Sequence, residues 1–257
     1  RFESRGLGDV YKRQDIKNGT SESRNDTTFS PRAGLIYKPQ ENVSLYLSYS
    51  ESFLPRSGEQ FKSLSASSAR LDPDVFESTE IGMKVALSNS MSLTAAYFDS
   101  EQVRAARDND TGETSEIRGL TVDGFEIELK GRVNNNLNLA IAYSDLSGET
   151  SSGGIPREIP EHTLSGFATW EVNEKLSVAL GITQQGESKI KDNTPNLVLP
   201  EYTRIDLSAF YTVAPNLSVQ MNVENLMDEL YFPHSHSTHQ ASVGESVNSR
   251  VSLRWTY

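Results

Sequence analysis

The sequence predicts an all-β fold: an antiparallel transmembrane β-barrel of which about eleven strands are present. Three observations carry this reading. Apolar residues recur at every second position along most of the chain, connections alternate between short and long, and aromatic residues fall where strands would enter and leave a bilayer. The end of the chain shows the pattern most clearly. In S-V-N-S-R-V-S-L-R-W-T-Y, Ser246 to Tyr257, the side chains of Val247, Val251, Leu253, Trp255 and Tyr257 share one side, and Asn248, Arg250, Ser252, Arg254 and Thr256 share the other. A terminal strand ending on aromatics, with arginines on its second face, is foreign to a soluble core and ordinary in a membrane barrel.

Composition permits this fold and excludes others. The 257 residues are 36% hydrophobic and 23% charged, and no apolar run approaches the roughly 18 residues of a transmembrane helix. A barrel shows lipid only every second residue, so a polar average does not speak against the membrane. The absence of cysteine excludes a disulfide scaffold and a cysteine-ligated metal centre. A net charge of −11 with no concentrated basic face argues against a nucleic-acid partner. Residues 1–14, R-F-E-S-R-G-L-G-D-V-Y-K-R-Q, fit no strand pattern, and D-V-Y-K-R-Q resembles read-through at the ends of translated sequence assemblies. They are read as non-native or disordered, and the fold is read from residues 15–257.

The strands follow in order. Ala33 to Tyr37 comes first, then Val43, Leu45, Leu47 and Tyr49 against Ser44, Tyr46, Ser48 and Ser50. Thr79 to Leu87 precedes Met91, Leu93, Ala95 and Tyr97; Phe125 to Leu129 precedes Leu137, Leu139, Ile141 and Tyr143. Thr163 to Trp170 precedes Leu176, Val178, Leu180 and Ile182; Ile205 to Tyr211 precedes Leu217, Val219, Met221 and Val223, and the terminal strand closes the series. Helical spacing fits none of them.

Turns rich in Asn, Pro and Ser occur at Lys38 to Asn42, Ser88 to Ser90, Val133 to Asn136, Asn173 to Lys175 and Val213 to Asn216. Long loops alternate with them, running from Glu51 to Asp74, Glu101 to Gly119, Ser147 to Glu161, Gly186 to Glu201 and Asn225 to Glu245. A large soluble β-sandwich would alternate too, but long loops confined to one end favour periplasmic turns and extracellular loops. Tyr49, Tyr97 and Tyr143 then mark the outer aromatic girdle, and Tyr37, Tyr211, Trp255 and Tyr257 the inner one, with Trp170 unassigned because its strand is apolar in both registers. Bacterial barrels use even strand numbers and cannot leave edges unpaired in lipid, so an eleven-stranded sheet is expected to be the later part of a larger barrel.

Several separated motifs carry a resemblance to a known family. They are S-L-Y-L-S-Y-S-E-S-F-L-P-R-S-G-E-Q-F from Ser44, L-D-P-D-V-F-E-S-T-E-I-G-M-K from Leu71 and R-G-L-T-V-D-G-F-E-I-E-L-K-G from Arg118. L-P-E-Y-T-R-I-D-L-S-A-F-Y from Leu199 and N-V-E-N-L-M-D-E-L-Y-F-P from Asn222 complete the set. Their order and spacing resemble the C-terminal part of the barrel of TonB-dependent outer-membrane siderophore receptors, the catecholate type in particular. The resemblance implies the outer membrane of a Gram-negative bacterium, a ferric siderophore as transported ligand rather than cofactor, and energy relayed by TonB. It also implies a plug domain that this sequence lacks, and recognition of the C-terminal strand by the outer-membrane assembly machinery.

A ferric tris-catecholate is aromatic and multiply negative, so its site calls for arginines and aromatic faces. The loop candidates are Phe53, Arg56, Arg104, Arg107, Arg118, Tyr231 and Phe232. The last loop also holds His234, His236 and His239, a weak metal-binding tract without an evident fourth ligand. His162 is read as structural. No G-x-S-x-G, H-E-x-x-H or P-loop is present, and Glu126 and Glu128, which could pass for a catalytic pair, share their face with Lys130 and read as a salt-bridge ladder in the lumen. The chain is therefore expected not to be an enzyme, with a passive porin or adhesin-type barrel as the alternative to a receptor.

Overall fold

The computed structural model describes residues 2–15, 20–54, 73–107, 114–192, 194, 196–235 and 237–257, the side chains of 2–15, 20–26, 104–107, 114–118 and 237 lying outside that description. In chain order the strands are β1 (Phe2–Asp15), β2 (Thr20–Gln40), β3 (Val43–Leu54), β4 (Asp74–Ser88), β5 (Met91–Arg107), β6 (Thr114–Arg132), β7 (Leu137–Thr150) and β8 (His162–Glu171). There follow β9 (Leu176–Gln185), β10 (Ser188–Lys189), β11 (Val198–Leu199), β12 (Tyr202–Ala214), β13 (Leu217–Glu224), β14 (His234–Ser235), β15 (Ala241–Ser242) and β16 (Asn248–Trp255). Twelve of them form one sheet, β1 to β9 and then β12, β13 and β16, each paired with its neighbours in sequence. The sheet is open: β1 and β16 each have a partner on one side only. β10 with β11 and β14 with β15 are small hairpins inside two of the long loops.

The count is one strand higher than expected, because Phe2–Asp15 is a strand after all. It pairs with β2 along its length, from Phe2 opposite Ala33 to Asp15 opposite Thr20. Main-chain pairing requires no apolar alternation, and Phe2–Asp15 has none, which is why the residue pattern concealed it. The same effect shortens the expected loops. β5 and β6 stay paired out to Arg107 opposite Thr114, so much of the segment expected as a loop from Glu101 to Gly119 continues the two strands. β3 runs to Leu54 and β4 starts at Asp74.

Register assigns the two faces. Tyr46, Gly82, Ala96, Glu126, Ser144 and Thr163 form one transverse row, each opposite the next. The adjacent row of Leu47, Ile81, Tyr97 and Phe125 belongs to the other face. The second face is apolar yet exposed: Leu35, Ile81, Leu253 and Trp255 all show more than half their area, and the hydrophobic residues buried among those described are only Ala96, Ala179, Leu199, Tyr202 and Tyr231. A water-soluble sandwich would bury that face, whereas a wall standing in lipid presents it.

The short turns owe their shape to asparagine. Asn134 Oδ1 accepts hydrogen bonds from the backbone N–H groups of Asn136 and Leu137 at 2.9 and 3.0 Å, and Asn173 Oδ1 does the same for Lys175 and Leu176. At the opposite end of the wall the tyrosines of the expected outer girdle share another device. The phenols of Tyr49, Tyr97 and Tyr143 donate to Glu51, Asp123 and Asp145 at 2.5, 3.0 and 3.2 Å, each carboxylate lying farther outward than its tyrosine. Each ring thus lies toward lipid with its hydroxyl tethered to a wet, charged rim. Tyr37 and Tyr211 are exposed near the short turns, and Trp170, now placed by register opposite Leu137, joins them.

Candidate functional site

The functional surface of such a wall is its inner face and the lip where that face meets the long loops. On the inner face Tyr46 lies flat across β4, covering Gly82 so closely that a Cβ there would come within 2.3 Å of Tyr46 Cζ. Glycine is what lets the ring lie down. Its hydroxyl donates to Glu80 Oε1, and Lys84 Nζ stands 5.5 Å from the ring centroid. Glu126 and Glu128 face them across a cavity of about 380 Å³ whose remaining wall includes Ser144 and Thr163, hydrogen-bonded to each other at 2.6 Å. Lys130 pairs with Glu128 at 2.5 Å, so the expected lumen ladder exists for that pair.

The lip is organised by two motifs from β12 and the end of β13. Tyr202 and Tyr231 are 8% and 6% exposed, with ring centroids 4.8 Å apart, and Tyr231 also covers Gly244. Arg204 donates from Nη1 to the Tyr231 hydroxyl at 3.2 Å and from Nη2 to Asp206 Oδ2 at 2.8 Å. Asp206 Oδ1 accepts the backbone N–H of Asn225 at 2.9 Å. Asn225, 1% exposed and at φ 51°, donates from Nδ2 to the carbonyls of Glu229 and Glu245 and accepts the Glu229 N–H, each at 2.9 Å. Asp228, at φ 52°, accepts the Val247 N–H at 2.9 Å. Asparagine and aspartate tolerate this left-handed backbone better than other side chains, which explains N-x-x-D at the turn. The base of the last loop is thereby tied to β12 on one side and to the approach to β16 on the other.

Of the candidate ligand residues only Phe53, Tyr231 and Phe232 have described side chains, and Phe53 lies on a different face from the loop that holds the other two. Phe53 lies opposite Val75 on the outward face of β3, in register with Tyr49 and Glu51, and so turns away from the lumen. Tyr231 lies inside the wall, its ring and hydroxyl already engaged. Phe232, half-buried, follows it. Arg104 and Arg107 sit on the outward extension of β5 and Arg118 on β6 opposite Val103, their side chains outside the described residues, as is Arg56 altogether. In the last loop His234 Nε2 is 2.8 Å from Ser242 Oγ across the β14–β15 hairpin, His239 ends a single 3-10 turn, and His236 lies outside the described residues. Among the described residues no three His, Asp or Glu side chains converge as metal ligands would. His162 stacks on Tyr143 at 6.3 Å and lies over Gly186, a packing role. Tyr202, Arg204, Asp206 and Asn225, which organise the lip, were not among the candidates, although the motifs containing them were singled out.

Apolar side chains toward lipid, serines and paired charges toward the interior, and long loops gathered at one end define an outer-membrane transport-type barrel wall. Comparison with known proteins narrows the class. The family described as TonB dependent receptor-like, beta-barrel, matches residues 6–226, and the chain belongs to it. That family places the chain in the outer membrane of a Gram-negative bacterium, and its match also covers part of the segment set aside at residues 1–14. Among relatives, the probable TonB-dependent siderophore receptor PiuA of Acinetobacter baumannii is 27% identical over 91% of this chain and 35% of its own length. The metal-pseudopaline receptor CntO of Pseudomonas aeruginosa is 26% identical over 93% of this chain and 35% of its own. The catecholate siderophore receptor Fiu of Escherichia coli K12 is 29% identical over 78% and 29%. The crystal structure of PiuA superimposes with a TM-score of 0.80 at 26% identity, covering 93% of this chain and 37% of that one. The chain spans about a third of the length of these curated relatives.

Proposed function

We propose that the chain is the C-terminal barrel wall of a receptor that binds a ferric siderophore at the outer face and imports it with energy relayed through TonB. The observation that carries this reading is the match of a twelve-stranded wall, charged within and apolar without, to proteins named as siderophore receptors. A lumen-filling plug and the segment that engages TonB would come from parts of the receptor beyond this chain. A passive porin or adhesin is disfavoured, since the relatives named above are all receptors, and the same names favour a receptor over an enzyme.

Catecholate groups are the ligand chemistry we favour, on the motif resemblance and on the likeness to Fiu. CntO, equally similar, is named for a different metal complex, so the outer loops and not the wall decide the ligand. Arg56, Arg104, Arg107 and Arg118 remain the cationic candidates and Phe232 the aromatic one, while Phe53 and Tyr231 serve the wall and lip. The test is quenching of intrinsic fluorescence in the receptor carrying this chain, titrated with ferric catecholate, hydroxamate and citrate complexes. Saturable binding of the catecholate complex supports the reading; binding of none of the three overturns it.

A further inference from the structure

Two of the long loops are built into each other. The β7–β8 loop first folds back over the inner face of its own strand. A Cβ on Gly148 would come within 2.6 Å of Pro156 Cγ and 3.0 Å of Ile159 Cδ1, and register puts Gly148 on that face with Ser78, Ser100 and Val122. The same loop then crosses onto the β9–β12 loop. Arg157 bridges Lys189 in parallel, and its N–H donates to Asp192 Oδ1 at 2.7 Å. The N–H of Glu158 donates to the Lys189 carbonyl at 2.9 Å, and that of Glu161 to the Glu187 carbonyl at 3.1 Å. Lys189 belongs to β10, whose pairing with β11 is continued by the Ile190 N–H donating to the Leu197 carbonyl at 2.9 Å. Pro156, Ser188 and Leu199 are buried along this crossing. Glu158 stands at φ 62°, a left-handed backbone that a glutamate keeps only where its surroundings hold it.

We infer that residues 151–161 and 186–192 open and close as one cooperative unit, a strap locked onto a hairpin, and not as two loops that move separately. Neither segment can leave the lip without giving up the Arg157, Glu158 and Glu161 hydrogen bonds to the other, and contacts shared in this way define a common opening event. This side of the mouth therefore moves as one piece, and a ligand that orders one loop orders both. The inference rests on the contacts between the loops and does not depend on which ligand the receptor takes.

The experiment is amide hydrogen exchange, read by mass spectrometry, on the whole receptor carrying this chain in detergent. Gly148→Ala drives a methyl into Pro156 and Ile159, to which the three atoms nearest that methyl all belong, and so lifts the first loop from β7. Asp192→Ala removes the acceptor of the Arg157 N–H from the second loop. A single unit predicts that, in each variant, exchange becomes roughly fivefold or more faster in both 151–161 and 186–192, while the short turn at 133–136 is unchanged. Acceleration of one segment without the other, in either variant, overturns the inference, and so does acceleration of neither. Should Gly148→Ala also quicken the short turn, the wall itself has loosened, and Asp192→Ala, which alters no strand, decides by the same criterion.

Discussion

Arg204 on β12 reaches Tyr231 in the last loop, with Nη1 3.2 Å from the phenol oxygen and the guanidinium carbon 5.9 Å from the ring centroid. Two residues 27 positions apart, from different motifs, thus meet at the lip, and the ring is held from three sides, by Arg204, Tyr202 and Gly244. Tyr231→Phe removes one hydrogen bond while keeping the packing and is expected to cost about 1 kcal/mol, since Arg204 retains Asp206. Tyr231→Ala leaves a cavity and is expected to cost about 3–5 kcal/mol. Thermal unfolding of the receptor in detergent, with protease cleavage within residues 229–247 as a local readout, separates the two.

Asn225 is the knot of the same loop. Asn225→Ala removes a side chain that makes three hydrogen bonds and leaves a non-glycine residue at φ 51°. The expected loss is about 2–4 kcal/mol, and Asn225→Gly, which relieves the backbone but restores no hydrogen bond, recovers about 1 kcal/mol of it. The ordering of the two variants in thermal stability is the check.

At Gly82 the expected effect is steric. Gly82→Ala drives a methyl into the Tyr46 ring, displacing it from Glu80, and is expected to destabilise by about 1–3 kcal/mol. Tyr46→Ser alone removes the same ring. In the double variant the Gly82 penalty largely disappears, giving a coupling that a double-mutant cycle measures directly. Additive losses would contradict this account of why glycine stands there.

These predictions draw on features the sequence exposed to different degrees. Two-residue alternation made the faces of the β3–β16 wall legible, and Leu47, Ile81, Val251 and Leu253 all point where period two puts them. The outer ends of the sheet were not legible: Phe2–Asp15, 103–107 and 114–118 carry no two-residue apolar alternation, and main-chain pairing leaves no trace in residue type. The lip was legible as motif and opaque as geometry. L-P-E-Y-T-R-I-D and N-L-M-D were visible, but nothing in them says that Arg204 and Tyr231 meet, because that contact is made by folding the last loop back over β12. Phe53, expected in a loop, falls on a strand for a simpler reason: β3 continues to Leu54, and continued register turns it outward.

For the outer arginines the expectation concerns binding alone. Replacing Arg56, Arg104, Arg107 or Arg118 with alanine in the whole receptor is expected to weaken ferric-catecholate binding by about 1–3 kcal/mol for each residue that contacts the ligand, the scale of a charge-assisted hydrogen bond. Fluorescence titration of the four variants reads it, and unchanged affinity in all four moves the cationic part of the outer site elsewhere.

The open edges of β1 and β16 carry their own consequence. A sheet with unpaired main-chain groups at both sides does not stand in hydrocarbon. Expressed alone, residues 1–257 are expected to give no heat-modifiable, protease-resistant monomer in detergent, whereas the whole receptor gives one on semi-denaturing gels. A stable monomer of the chain alone would mean that the two edges close on each other.

The central claim is energy-coupled import, and one measurement addresses it directly: accumulation of radioactive iron from a ferric catecholate by cells whose only receptor for it carries this chain, with and without functional TonB. Accumulation that requires both the receptor and TonB, while binding to the cell surface persists without TonB, is the expected result. Equal accumulation in the absence of TonB would make the wall that of a passive pore and contradict the account.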